Sequence, residues 1–135
     1  ADAGVWLIAE IGGGGLASGV AAAVKMLHPN VRIVGVQASG AAGMKASFDA
    51  GHVVALEHAK TIADGIAVKE PGQHTFELCQ HYVDEIVTVT EDEICAAILT
   101  LIEHHKLIAE GAGAVSVAAA MFNKVDVTGQ NVCCI

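Results

Sequence analysis

Apolar residues along the chain fall into short unbroken runs separated by stretches of three-to-four periodicity. Val5 to Ile11 is an apolar run that ends at Gly12-Gly13-Gly14-Gly15, as expected of a buried strand entering a flexible turn. From Leu16 to Leu27 the residues Leu16, Val20, Ala23, Val24 and Leu27 lie on one helical face, and His28-Pro29-Asn30 is a stop signal. Val31 to Gln37 is again β-branched and apolar, so the first third of the chain reads as a right-handed βαβ unit.

Beyond it the pattern predicts a short helix over Gly40–Ala50 closed by Gly51, and loop through Lys60. It then predicts a helix over Thr75–Tyr82 and a strand at Glu85–Val89. Thr90 and Glu93 stand at capping-box spacing, with a hydroxyl to receive the N3 amide and a carboxylate to reach back. The helix they start should run to about His105. Glu110–Ala114 interrupts the pattern, a small-residue helix resumes over Ala114–Phe122, and Asn131–Ile135 reads as a final strand. Strands alternating with helices, most apolar on both faces, imply a small, mostly parallel sheet flanked by helices. The expected fold is a three-layer α/β sandwich, with residues 1–135 as one domain.

Composition narrows the partners. A formal charge of −8, with seven Lys and Arg scattered singly, provides no basic stripe for nucleic acid or an anionic membrane. No apolar run approaches the ~20 residues that span a bilayer, and the opening residues lack a signal-peptide pattern, so the expectation is a cytoplasmic protein. The four cysteines, Cys79, Cys95, Cys133 and Cys134, form no CxxC pair and read as buried free thiols. His104 and His105 have no i+4 partner, and His74 with His81 about Glu77 is a polar helix face rather than a metal site. Ser18, Ser39, Ser47 and Ser116 lack a nucleophile elbow, so a repurposed hydrolase is only a minor alternative, and Ser18 is expected to bond within its own helical turn.

The four consecutive glycines carry the chemistry. Each costs roughly 0.5–1 kcal/mol of backbone entropy relative to Ala in an ordered element, so something should require them. Amides freed of Cβ atoms can turn inward as a nest, and the following helix N-terminus adds partial positive charge. The loop is therefore expected to hold a phosphate-bearing small molecule, or a phosphate or sulfate ion, with a merely tight structural turn and a dinucleotide site as the alternatives. It matches neither GxGxxG with its later acidic residue nor GxxxxGK[ST].

The blocks IGGGGLASGVAAAVKMLHPNVRIVGVQ, GMKASFDAG, TIADGIAV, PGQHTFEL, VDEIVTVTEDEI and KLIAEGAGAVSVAAA, in this order, resemble the large-domain portion of the serine/threonine dehydratases, closest to the catabolic threonine dehydratases. These are fold-type II enzymes that use pyridoxal 5'-phosphate (PLP). The resemblance implies that Gly12, Gly13, Gly14, Gly15 and the Leu16 amide cradle the PLP phosphate. It further implies that Gly65 lines the cofactor ring, and that Glu110 and Ala112 sit beside the ring and its hydroxyl. For Gly65 a turn boundary, and for Glu110 a solvated helix start, are the alternative readings.

The family's Schiff-base lysine lies in a Ser-Phe-Lys block upstream of the glycine loop. Its pyridine-nitrogen partner lies in a Ser-Gly-Gly-Asn block after the final strand. None of Lys25, Lys45, Lys60, Lys69, Lys106 and Lys124 occupies the lysine's place, and Gln37 and Gly43 stand where some relatives bind a divalent cation. No catalytic residue and no metal site is therefore expected in this chain. The expectation is a PLP-dependent lyase fragment with little or no activity alone, self-associating into a homo-oligomer. The alternative is a non-catalytic or repurposed phosphate-binding oligomeric module.

Overall fold

A computed structural model describes residues 4–135. The strands β1 (Val5–Glu10), β2 (Arg32–Ala38), β3 (Glu85–Val89) and β4 (Asn131–Cys134) form one all-parallel sheet in the order β3-β2-β1-β4. Strand β1 pairs in register with β2 from Trp6–Arg32 to Glu10–Val36, and with β4 from Val5–Asn131 to Ile8–Cys134. Five α-helices connect and cover it: α1 (Gly15–Leu27), α2 (Gly43–Ala50), α3 (Gln73–Tyr82), α4 (Glu91–His105) and α5 (Gly111–Met121).

Period-two alternation explains why the central strands read as continuous apolar runs, because both of their faces are covered. Ile8, Val34, Val36 and Val89 point into a core closed by α4 and α5. Leu7, Ala9, Ile33 and Ile86 point the other way, against Ala17 and Ala21 of α1 and Phe76 and Cys79 of α3. This is the three-layer α/β arrangement the periodicity implied. Strand β4 departs from the pattern: all four of its residues are exposed, since it forms one edge of the sheet.

Helix α5 starts at Gly111, three residues earlier than its apolar pattern suggests, so Gly111 and Gly113 lie inside its first turn. The reason is steric. A Cβ on Gly111 would stand 2.8 Å from Ala63 Cα and 3.0 Å from Ala63 N, closer than real Cβ contacts come. Glycine here allows the helix start to press against backbone, at some cost in helix propensity.

The capping box at the head of α4 is half formed. The Thr90 hydroxyl accepts from Glu93 N at 3.2 Å, but it donates to Glu93 Oε1 at 3.1 Å, and the carboxylate pairs with Lys124 at 2.8 Å. A cation offers that carboxylate more than the Thr90 amide does. The cysteine expectation is corrected in part: Cys79 is buried, whereas Cys95, Cys133 and Cys134 are exposed on α4 and the β4 edge.

Candidate functional site

Strand order reverses at β1. The chain leaves β1 through α1 toward β2, and later returns across the opposite face through α4 and α5 to β4 on the other side. In open parallel sheets such a switch point leaves a crevice beyond the carboxyl ends of the strands, the usual place for a ligand. Gly12–Gly15 occupies that crevice.

The loop's carbonyls are turned inward and held there. Gly13 O accepts from the Thr75 hydroxyl at 2.5 Å and from Gly72 N at 3.3 Å. Gly14 O accepts from Ser18 N at 2.9 Å, with the Cys79 thiol 3.9 Å away. In a trans peptide the N–H points opposite to its C=O, so the Gly14 and Gly15 amides are aimed outward by the same bonds. Among the described residues, no hydrogen bond to a protein acceptor uses the amides of Gly13, Gly14, Gly15, Leu16 or Ala17. Ser18 bonds locally, as expected, donating its hydroxyl to Gly15 O at 3.2 Å.

The glycines are needed for different reasons. Gly14 adopts φ 97°, and a Cβ there would meet Met44 Cε at 2.6 Å and Thr75 Cβ at 3.0 Å. A Cβ on Gly12 would lie 3.2 Å from Ile66 Cα. Gly13 and Gly15 meet nothing within 4 Å and have no positive φ, so the protein itself does not require glycine there. The open space in front of them, faced by unpaired amides at a helix N-terminus, suits a compact anion. A PLP phosphate fits these residues.

The other expected site residues converge on the same rim. A Cβ on Gly65, within a 3-10 turn at Asp64–Ile66, would lie 3.3 Å from Ala112 Cβ and 4.0 Å from Glu110 Oε1. The one on Gly12 would lie 3.5 Å from Gly65 O. Gly12, Gly65, Glu110 and Ala112 are thus one neighbourhood, although they span about a hundred positions of sequence. The Leu16 amide belongs to the row without acceptors, and its side chain is about half exposed.

Sequence reasoning missed three participants. Gln37 is fully buried at the end of β2, donating to Ile11 O at 3.0 Å and accepting from Lys45 N at 2.8 Å, so it ties the glycine loop to the first turn of α2. Its one signal was a lone polar residue closing an apolar strand. Thr75, the loop's anchor, gave no signal. Glu10, half-buried at the end of β1, has its carboxyl pKa raised by burial and by the Glu110 carboxylate, against a smaller lowering by the Gly12 amide.

One concavity lies away from this rim. It has a volume of about 740 Å³ and lies at the amino ends of the strands between Val5 and the Leu27–Val31 turn; it is mostly apolar and shares no residue with the glycine loop. Among the described residues no cluster of three His, Cys, Asp or Glu side chains could hold a metal. Nor is any described helix long and apolar enough to cross a membrane.

An all-parallel sheet covered by helices on both faces, with a glycine loop at its switch point, defines the class of the protein as open-sheet α/β. The chain belongs to the pyridoxal-phosphate dependent enzyme family, whose sequence model matches residues 3–135. It is similar to the L-threonine ammonia-lyase of Thermotoga maritima, 52% identical over 126 residues that make up 93% of this chain and 31% of that protein. The catabolic L-threonine dehydratase of Escherichia coli K12 is 43% identical over 125 residues, 93% of this chain and 38% of the relative. The fold matches the crystal structure of the T.th. threonine deaminase with a TM-score of 0.89 at 34% identity, covering 94% of this chain and 47% of that one. The chain thus spans about a third of the length of these curated relatives.

Proposed function

We propose that this chain supplies the phosphate-binding part of a PLP-dependent L-threonine or L-serine dehydratase. The observation that carries the reading is the row of amides from Gly13 to Ala17 without protein acceptors, facing open space before Gly13 and Gly15. In this reading those amides bind the phosphate, Gly65 and Ala112 leave room for a flat ring, and Glu110 stands at the ring's edge. When bound, PLP supplies the electron sink that makes an amino acid's α-proton removable. The protein's part is to orient the cofactor and to limit which protons move.

No lysine of this chain is assigned the family's covalent role. Lys25, Lys45 and Lys124 are ion-paired to Asp84, Asp49 and Glu93, and Lys106 donates to Glu103 O. Lys60 and Lys69 are exposed. We therefore expect little or no dehydratase turnover from this chain by itself.

A thermal-shift titration with inorganic phosphate, sulfate and PLP, followed by borohydride reduction and mass analysis, tests the reading. Ligand at ~100 times its Kd stabilises by about 2.7 kcal/mol. We expect a saturable rise in Tm with phosphate and PLP, its reduction in Gly13→Val and Gly15→Val, and no single pyridoxyl-lysine adduct. No rise at saturating ligand, or equal rises in the variants, would remove the phosphate site from this loop. A single stoichiometric adduct would overturn the lysine assignment.

A further inference from the structure

A phosphate on the glycine loop leaves the carboxylates at the rim without a role. Glu10 ends β1, and period-two alternation puts its side chain on the face of Ile8, the face that α5 covers. Glu110 precedes α5 as its N-cap residue but makes no side-chain cap bond, and its Oε1 is the atom that a Cβ on Gly65 would approach at 4.0 Å. Burial and then the Glu110 carboxylate raise the Glu10 pKa, so the two acids lie within electrostatic reach of each other. Asp64 adds a third carboxylate next to Gly65, whose amide it already accepts at 3.0 Å. Among the described residues no cation answers Glu10 or Glu110, because the ion pairs join Lys25, Arg32, Lys45, His58 and Lys124 to other carboxylates.

That negative charge is badly placed for a bare phosphate. Three residues of chain span at most about 11 Å, so the backbone of Glu10 stands no further than that from the backbone of Gly13. The distance is comparable with the Debye length of about 10 Å at 0.1 M salt. An anion on the loop is therefore drawn by the amides and repelled by the acids behind them. A ligand that carries a cation as well as a phosphate meets both demands. Its phosphate takes the amides, and its cation relieves carboxylates that otherwise repel each other and the phosphate. Discrimination then falls against phosphates that lack the cation.

We propose that Glu10, acting with Glu110, is a specificity determinant of the glycine-loop site, selecting phosphate monoesters that carry a protonated nitrogen over those that do not. This inference rests on the phosphate reading of the loop and adds to it the chemistry of the ligand's other end.

Calorimetric titration at pH 7 with inorganic phosphate, pyridoxine 5'-phosphate and pyridoxamine 5'-phosphate tests it. The two esters share ring and phosphate and differ by an ammonium in place of a hydroxyl. The amine is expected to bind about fivefold more tightly, with the preference shrinking as salt is added. Glu10→Gln should cut the preference to about twofold and tighten inorganic phosphate, Glu10→Asp should keep most of it, and Glu10→Gln with Glu110→Gln should abolish it. Circular dichroism confirms that each variant stays folded. Equal binding of the two esters by the parent chain would overturn the proposal and leave the phosphate site standing. A preference untouched by Glu10→Gln would overturn the role of Glu10. Binding of none of the three would remove the phosphate site, and the proposal with it.

Discussion

The two ends of the sheet are built from opposite electrostatic logic. At the amino ends, charges are matched: Lys25 meets Asp84 at 2.8 Å, Arg32 meets Glu85 at 2.7 Å and lies over Trp6, and Asp84 also accepts from Ile33 N. At the carboxyl ends, groups are left wanting: a row of amides lacks acceptors, and the Glu110 carboxylate raises the pKa of the half-buried Glu10. The amino end closes the βαβ unit. The carboxyl end leaves backbone donors of the glycine loop without protein acceptors. The contrast is what the proposed phosphate site rests on.

The largest test of that contrast is Gly14→Ala, which forces a side chain into φ 97° against Met44 and Thr75. We expect a loss of about 2–3 kcal/mol, read from urea midpoints, together with loss of phosphate protection. Gly13→Ala, in open space, should lower phosphate protection with stability changed by less than about 0.5 kcal/mol. If the two variants destabilise equally, the division of labour within the loop is wrong.

Next is Gln37→Leu, which fills the same buried volume but strands Ile11 O and Lys45 N. Each unsatisfied backbone group costs about 1–3 kcal/mol, so a drop of about 2 kcal/mol is expected, with weaker phosphate binding because the loop loses its tie to α2. Unchanged binding would show that Thr75 anchors the loop without help.

Glu10→Gln should act in the opposite direction. A carboxyl whose folded pKa is raised contributes its favourable share only below the unfolded pKa, and loses it as pH rises through the folded value. The neutral variant should therefore have a higher Tm than the parent at pH 7, by an amount that fades toward the ordinary carboxylate value of about 4.3. A constant difference across that range would mean that the Glu110 carboxylate and burial exert no net effect.

The smallest effect belongs to the amino end. Arg32→Met removes an ion pair that is more than a third exposed on both sides and a cation–π contact, and should cost less than about 1 kcal/mol, shrinking as salt is added. A larger loss would mean that this end is more tightly coupled to the core than its exposure suggests.

Most of the elements were legible because their cause is local. The β-branched run at Val31–Gln37, the stop at His28-Pro29 and the Thr90 cap each act within a few residues, and the observed bounds differ from them by at most one position. The early start of α5 was hidden because Gly111 is set by Ala63, forty-eight positions away, and no periodicity carries that information. The exposure of Cys133 and Cys134 was hidden for a related reason: an edge strand and a central strand share one local pattern until the sheet order is known.

The sequence by itself determined the layered α/β class, the glycine loop between β1 and α1 and the family, because these rest on short-range pattern and on motifs in order. Only the tertiary structure decided that Gly65 meets the loop at Gly12 and is met in turn by Ala112 and Glu110, that Gln37 and Thr75 hold the loop, and that Glu10 lies within electrostatic reach of Glu110. Those relations are distances between segments far apart in the chain. They are set by which face of the sheet each crossover covers, a global outcome of packing that no local pattern encodes.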